Sequence, residues 1–316
     1  MNVIKRSYKR GYLKVSKIHS LYYELYGNPK GKPVLFLHGG PGGGFSERDK
    51  RFFNPRVYKL ILFDQRGSGR SKPFASLKEN TTFDLVEDIK KLLTFLKIKK
   101  TFLFGGSWGS TLALVYAIKY PKTVSGMLLR GIFLCSKNDI KHYFGGDIKN
   151  FFPEVWERFV SNVPKQYRNE KGIPSYYLKM MNSKDKKVKE KYTFEWAFYE
   201  MSILKLKTKE EKILKLMKEF SYKSLAPLEA YYLKNNCFIH NNYILNNCNK
   251  ISSIPVSIIH GRYDFVCPAI NAFNLHSRLK NSKLYIVCAG HSSSEREIEK
   301  KLISEMKRFS KIIHYN

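Results

Sequence analysis

Six short and almost uninterrupted apolar runs, Val34–Leu37, Leu60–Phe63, Phe102–Phe104, Met127–Leu129, Val256–Ile259 and Leu284–Val287, recur along the chain with longer helix-patterned stretches between them. Such runs are too short for buried helices and lack the apolar-polar alternation of a sheet with one wet face. Each reads as a strand covered on both sides. Strands of that kind, separated by helices, specify a mostly parallel sheet with helices on both faces. One helix is well marked. Thr81 and Asp84 supply a capping signature, and Leu85, Val86, Ile89, Leu92, Leu93 and Leu96 follow at helical spacing. A second is predicted over Ser110 to Tyr120, stopped by Pro121.

The strand rhythm lapses between about Cys135 and Lys250 and resumes at Pro255. The intervening stretch is rich in Lys, Tyr, Phe and Asn, contains Trp156 and Trp196, and reads as mostly helical. Its region from Lys205 to Lys218 predicts an amphipathic helix, with Thr208 and Glu211 as a capping box and Ile213, Leu214, Leu216, Met217 and Phe220 on the apolar side. The expected organisation is a catalytic core made of residues 1–134 and 251–316, with residues 135–250 inserted as a helical cap over the carboxyl ends of the strands. Open α/β sheets bind ligands at that edge.

Composition removes several alternatives. With 43% hydrophobic and 15% aromatic residues, a chain of 316 residues can bury a large core, so disorder is not its organising state. No run approaches the roughly 18 apolar residues of a membrane span, and no membrane partner is expected. Five cysteines without C-x-x-C spacing predict a reduced, cytoplasmic setting and no metal held by thiolates. Lys plus Arg number 57 against 26 acids, a net charge of +31 that raises nucleic acid as a partner. The basic residues are mostly Lys and are spread through the chain, the pattern of a solvated surface, so no nucleic-acid partner is expected.

Gly105-Gly106-Ser107-Trp108-Gly109 fits G-x-S-x-G, with a strand leading in and a helix leading out. That setting makes a strained turn which exposes a serine hydroxyl. His38-Gly39-Gly40-Pro41-Gly42-Gly43-Gly44 follows the first apolar run, and a loop of this type supplies a backbone donor to an oxyanion hole. A phosphate cradle is the rival reading, but the loop lacks the Lys-Ser/Thr ending and Pro41 removes a donor. Where serine stands on such a turn, its partners follow in the order acid, then histidine. Asp264 and His291 satisfy that order, each just after a predicted strand. His260 precedes Asp264 and Asp64 precedes Ser107, so both are read as structural, as is His38 at its strand end. A Ser-His-Asp triad needs neither metal nor organic cofactor.

The ordered set HGGPGGG at 38–44, DQRGSGRS at 64–71, GGSWGSTLALVYA at 105–117, LLRGIFL at 128–134, HGRYD at 260–264 and AGHS at 289–292 resembles the proline iminopeptidases. The similarity extends to His19–Glu24, Phe152-Pro153 and Trp156-Glu157, and covers the chain from about Gly11. The resemblance implies an α/β-hydrolase fold and a serine exopeptidase that releases an amino-terminal proline from peptides with a free amino terminus. It implies catalytic roles for Ser107, Asp264 and His291, an oxyanion hole from the backbone N–H groups of Gly40 and Trp108, and capture of the substrate ammonium by Glu200 and Glu229. Read from the residues alone, those two glutamates are helix-surface carboxylates, each partnering a nearby Lys. The chain departs from the family at Tyr231, Tyr199 and Ser136, where His, Trp and Arg are common. A related esterase or amidase, with the triad but without strict proline specificity, is the alternative.

Overall fold

The computed structural model describes residues 7–207, 209–219 and 221–312. Eight strands, β1 (Lys9–Lys14), β2 (Ser20–Gly27), β3 (Lys32–Leu37), β4 (Tyr58–Phe63), β5 (Thr101–Ser107), β6 (Val124–Ile132), β7 (Val256–Gly261) and β8 (Ser282–Val287), form one sheet in the order β1-β2-β4-β3-β5-β6-β7-β8. β2 pairs antiparallel with β1 and β4, and every other pairing is parallel. The six predicted strands are β3 to β8. The amino-terminal pair was not predicted, because β1 (Lys-Arg-Gly-Tyr-Leu-Lys) lies exposed at the sheet edge and needs no apolar run.

The continuous apolar runs reflect burial on both faces. Leu35, Leu37, Ile61, Phe63, Leu103, Met127 and Leu129 join one core, while their neighbours Val34, Phe36, Leu60, Leu62, Phe102, Phe104 and Leu128 join a second on the opposite face. Period-two geometry sends alternate residues to opposite faces, so both sets must be apolar.

Helix α1 (Thr82–Phe95) starts at the predicted capping box, with Thr81 accepting from the Asp84 N–H and the Asp84 carboxylate accepting from the Thr81 N–H. Helix α2 (Trp108–Lys119) begins two residues earlier than predicted, directly after Ser107, and is buried from Trp108 through Ile118. Between β6 and β7 run α3 (Lys137–Tyr143), α4 (Ile148–Phe151), α5 (Pro153–Ser161), α6 (Gly172–Met181), α7 (Lys186–Ile203), α8 (Glu210–Glu219), α9 (Tyr222–Lys234) and α10 (Tyr243–Asn246). No strand of the sheet falls in this interval among the described residues. α11 (Ala269–His276) and α12 (Arg296–Ile312) complete the chain. α8 is the amphipathic helix expected near residue 210. Ile213 and Met217 are buried, Leu214 is exposed, and Thr208 and Phe220 lie outside the described residues.

The sheet order turns back between β3 and β5, with β4 on one side and β6 on the other. A crevice opens at such a reversal beyond the strand ends. The loops carrying His38 and Ser107 emerge there side by side.

Candidate active site

Ser107 ends β5 at φ 58° and ψ −128°, a conformation that L-residues rarely adopt. The glycines around it make that turn possible. A Cβ on Gly105 would fall on the Gly109 carbonyl oxygen, and one on Gly109 would fall on that of Leu37. The G-x-S-x-G spacing is therefore a steric requirement where the start of α2 crosses the ends of β3 and β5. Gly39 closes the contact from the other loop, since a Cβ there would stand 3.3 Å from the Ser107 Cβ.

Asp264 and His291 follow β7 and β8, and His291 Nδ1 lies 2.7 Å from Asp264 Oδ2. The other oxygen of Asp264 accepts the N–H groups of Val266 (3.1 Å) and Cys267 (2.8 Å). Although burial opposes its charge, the His291 and His260 rings and these donors hold Asp264 below the usual carboxylate range. The second ring nitrogen of His291 faces Arg130, with Nη1 at 3.0 Å from Nε2. Ser107, His291 and Arg130 share a cavity of about 150 Å³ with Gly39, Gly40 and Glu200. Among the described residues the partner of Nε2 is thus Arg130 and not Ser107. Catalytic hydrogen bonds of this kind often tighten only with substrate bound.

His260 is engaged at both nitrogens, by the Ile132 N–H at Nδ1 (3.0 Å) and the Cys267 carbonyl at Nε2 (2.7 Å), and burial lowers its pKa. It braces β6 against the Asp264 loop. Asp264, Cys267 and His291 bring potential metal-ligand atoms within 4.8 Å of one another. The Cys267 thiol, however, is pushed well up by burial and then by Asp264, which disfavours the thiolate a metal would need.

His38 accepts the Gln65 N–H at Nε2 (3.0 Å), and its carbonyl accepts from Gln65 Nε2 (3.1 Å). Gln65 Oε1 in turn accepts the Trp108 indole N–H at 2.8 Å. These contacts lock together the loops after β3 and β4 and the first residue of α2. Trp108 opens α2, so its backbone N–H is among the four that have no acceptor within the helix. Gly40 holds φ +51° against Leu225 of α9. Asp64, fully buried, accepts from the N–H groups of Phe45 (2.9 Å) and Arg70 (2.8 Å) and from the Arg70 guanidinium, and so organises its own loop.

Glu200 on α7 and Glu229 on α9 are both buried, so the residue-only reading of them as surface carboxylates paired with lysines is wrong. Burial overrides it because α7 and α9 pack face to face beneath aromatic side chains. Glu200 Oε2 accepts from Tyr143 Oη at 2.6 Å, and Glu229 Oε2 accepts from the Trp196 indole at 2.8 Å. Among the described residues neither carboxylate makes an ion pair. Burial raises the Glu200 carboxyl, and burial followed by the neighbouring Glu200 raises that of Glu229 well above its usual range. Tyr199 and Ser136 have local tasks. Tyr199 stacks on Phe159 (centroids 4.1 Å apart) and donates to the Tyr143 carbonyl (2.7 Å), while Ser136 caps α3.

Two residues at this site were not singled out from sequence. Tyr143 carried no signal beyond its aromatic neighbourhood. Arg130 did, as a guanidinium set inside an otherwise apolar strand.

The sheet order and the turn at Ser107 are those of an α/β hydrolase, and a family model described as the alpha/beta hydrolase fold matches residues 32–297. Solved structures agree at the level of fold. An esterase from Exiguobacterium antarcticum superposes with TM-score 0.64 at 21% identity, covering 96% of this chain and 100% of that one. An alpha/beta fold family hydrolase from Bacillus anthracis str. Sterne gives 0.66 at 18%, covering 95% and 100%. The chain is 42% identical to the proline iminopeptidase of Arabidopsis thaliana over 94% of this chain and 78% of that protein. It is 41% identical to a probable proline iminopeptidase of Leptolyngbya boryana (96% and 94%) and 39% identical to the proline iminopeptidase of Neisseria gonorrhoeae (96% and 96%). Within the α/β hydrolases, the chain belongs to the proline iminopeptidase family.

Proposed function

We propose that this chain is a serine exopeptidase that releases proline from peptides with a free amino terminus, with residues 135–250 acting as a cap over the core formed by 1–134 and 251–316. The observation that carries the reading is the pair of buried glutamates, neither in an ion pair among the described residues: Glu200 lines the cavity that holds Ser107 and His291, and Glu229 neighbours Glu200 from α9.

In this mechanism His291, its Nδ1 proton held by Asp264, accepts the Ser107 proton at Nε2 as the serine oxygen attacks the prolyl carbonyl. The oxyanion forms against the N–H groups of Gly40 and Trp108, each donor worth about 3 to 4 kcal/mol. Protonated His291 gives its proton to the leaving amine, and water then hydrolyses the acyl enzyme by the same route. Glu200 and Glu229 receive the secondary ammonium of the substrate. An internal peptide bond presents a neutral amide there and leaves both carboxylates without a cation, a costly burial. The net charge of +31 opposes a cationic substrate only at long range, since screening limits that field to about 8 Å at physiological salt. Five free cysteines fit a cytoplasmic setting.

The test is a panel of prolyl amides with free and acetylated amino termini. Acetylation removes the ammonium ion, and kcat/KM is expected to fall at least tenfold to a hundredfold, the equivalent of about 1.5 to 3 kcal/mol. Equal turnover of the two would refute the exopeptidase reading while leaving a hydrolase.

A further inference from the structure

The mechanism above leaves a half-buried cation unused at its centre. Arg130 comes from β6, and its side chain crosses the elbow at Gly106, where a Cβ would stand 2.5 Å from Nη2 and 2.9 Å from Cζ. Only a glycine before Ser107 leaves room for that guanidinium. From there Nη1 reaches two atoms of one residue, His291 Nε2 at 3.0 Å and the His291 carbonyl oxygen at 2.9 Å. The next residue, Gly131, takes φ +55° and lies against the other side of the ring, since a Cβ there would stand 2.8 Å from His291 Cε1. The Arg130-Gly131 pair is thus a seat for the histidine, built from the strand between the nucleophile strand and the acid strand.

The protonation states follow from the partners. Nδ1 faces the Asp264 carboxylate and carries the ring proton, while Nε2 faces a guanidinium that can only donate. The imidazole seated this way is neutral, with its Nε2 lone pair directed at Arg130. That lone pair is the one Ser107 must use.

We infer that Arg130 is a positioning residue, which holds His291 through its carbonyl and occupies Nε2 in the resting enzyme, then yields Nε2 to the Ser107 hydroxyl when substrate enters. This rests on the triad reading given above.

The experiment compares Arg130→Gln and Arg130→Lys with the wild type, measuring kcat and KM for a free prolyl amide, with Ser107→Ala in parallel. For Arg130→Gln, kcat is expected to fall about tenfold or more with KM nearly unchanged, because a histidine displaced from its seat slows proton transfer without touching the ammonium site. Arg130→Lys keeps the charge but not the two-point contact, so its kcat also falls while KM stays. Wild-type kcat in Arg130→Gln, or a loss confined to KM, overturns the inference. If Arg130→Gln does not fold, Arg130→Lys carries the test alone, and wild-type kcat in that variant overturns it. Activity remaining in Ser107→Ala instead condemns the triad reading itself, whatever Arg130 does.

Discussion

Glu200→Gln tests substrate reading and folding energetics in one variant. The substitution preserves shape and leaves an amide oxygen to accept from Tyr143 Oη, now 2.6 Å from Glu200 Oε2. It removes the charge. A buried charge-assisted contact to the substrate ammonium is worth about 1.5 to 3 kcal/mol, so kcat/KM for a prolyl amide should fall about 10- to 150-fold. Turnover of a small neutral ester, which needs the triad and not the ammonium site, should change little.

Stability should move the opposite way. Burial raises the Glu200 carboxyl above its ordinary range, so the native state holds a proton that the unfolded chain gives up at about pH 4.3. As pH rises past that point the unfolded state gains, and the native penalty grows until the buried group ionises as well. Each pH unit in that window is worth about 1.4 kcal/mol, partly offset in Gln by a weaker bond from Tyr143. The variant should therefore match the wild type near pH 4 and melt at a higher temperature at pH 8. Kinetics on amide and ester, with melting curves at both pH values, read the two effects separately. An equal loss on the ester, or a lower melting temperature at pH 8, would refute this account.

Ser107→Ala should retain the fold, seen by circular dichroism, and lose hydrolysis of amides and esters by several orders of magnitude; activity within tenfold of wild type would contradict the nucleophile assignment. Gly131→Ala should lower kcat at least tenfold and stability by about 1 to 2 kcal/mol, because it combines φ +55° with a Cβ 2.8 Å from His291 Cε1. Unchanged kcat in that variant would mean that His291 does not depend on its seat.

What sequence could reveal depended on how many independent constraints met at a residue. β3 to β8 were legible because both faces of each strand are buried and both must be apolar, as the division of Leu35 and Phe36 between opposite cores shows. The elbow was legible because clashes at Gly105 and Gly109 leave no other residue type. α2 was placed two residues late because Gly109 and Ser110 resemble turn residues, although the strained Ser107 delivers the chain straight into a helix. Glu200 and Glu229 were misjudged from the residues alone, since helical position does not say which face a cap turns inward; only the family resemblance pointed to the interior. Arg130 stood in a quoted motif without a role, because its partner His291 lies 161 residues further along the chain.

In the proposed reading, the cap and the triad are joined where their functions must meet. α7, which carries Glu200, is followed by Leu204, whose carbonyl accepts the backbone N–H groups of His291 (3.0 Å) and Ser292 (2.9 Å). α9, which carries Glu229, has Ser224 in its first turn, whose hydroxyl donates to the Gly42 carbonyl at 2.8 Å and accepts the Gly69 N–H at 3.3 Å. Each glutamate-bearing helix is therefore bonded to a loop that serves the chemistry, one to the base and one to the glycine loop at Gly40. An ammonium bound at Glu200 and Glu229 pulls on the same backbone that places His291 and Gly40. Displacements of about 1 Å at reacting atoms cost on the order of a hundredfold in rate. Loss of the ammonium contact should accordingly appear in kcat as well as in KM, and an acetylated substrate at saturating concentration should still turn over slowly.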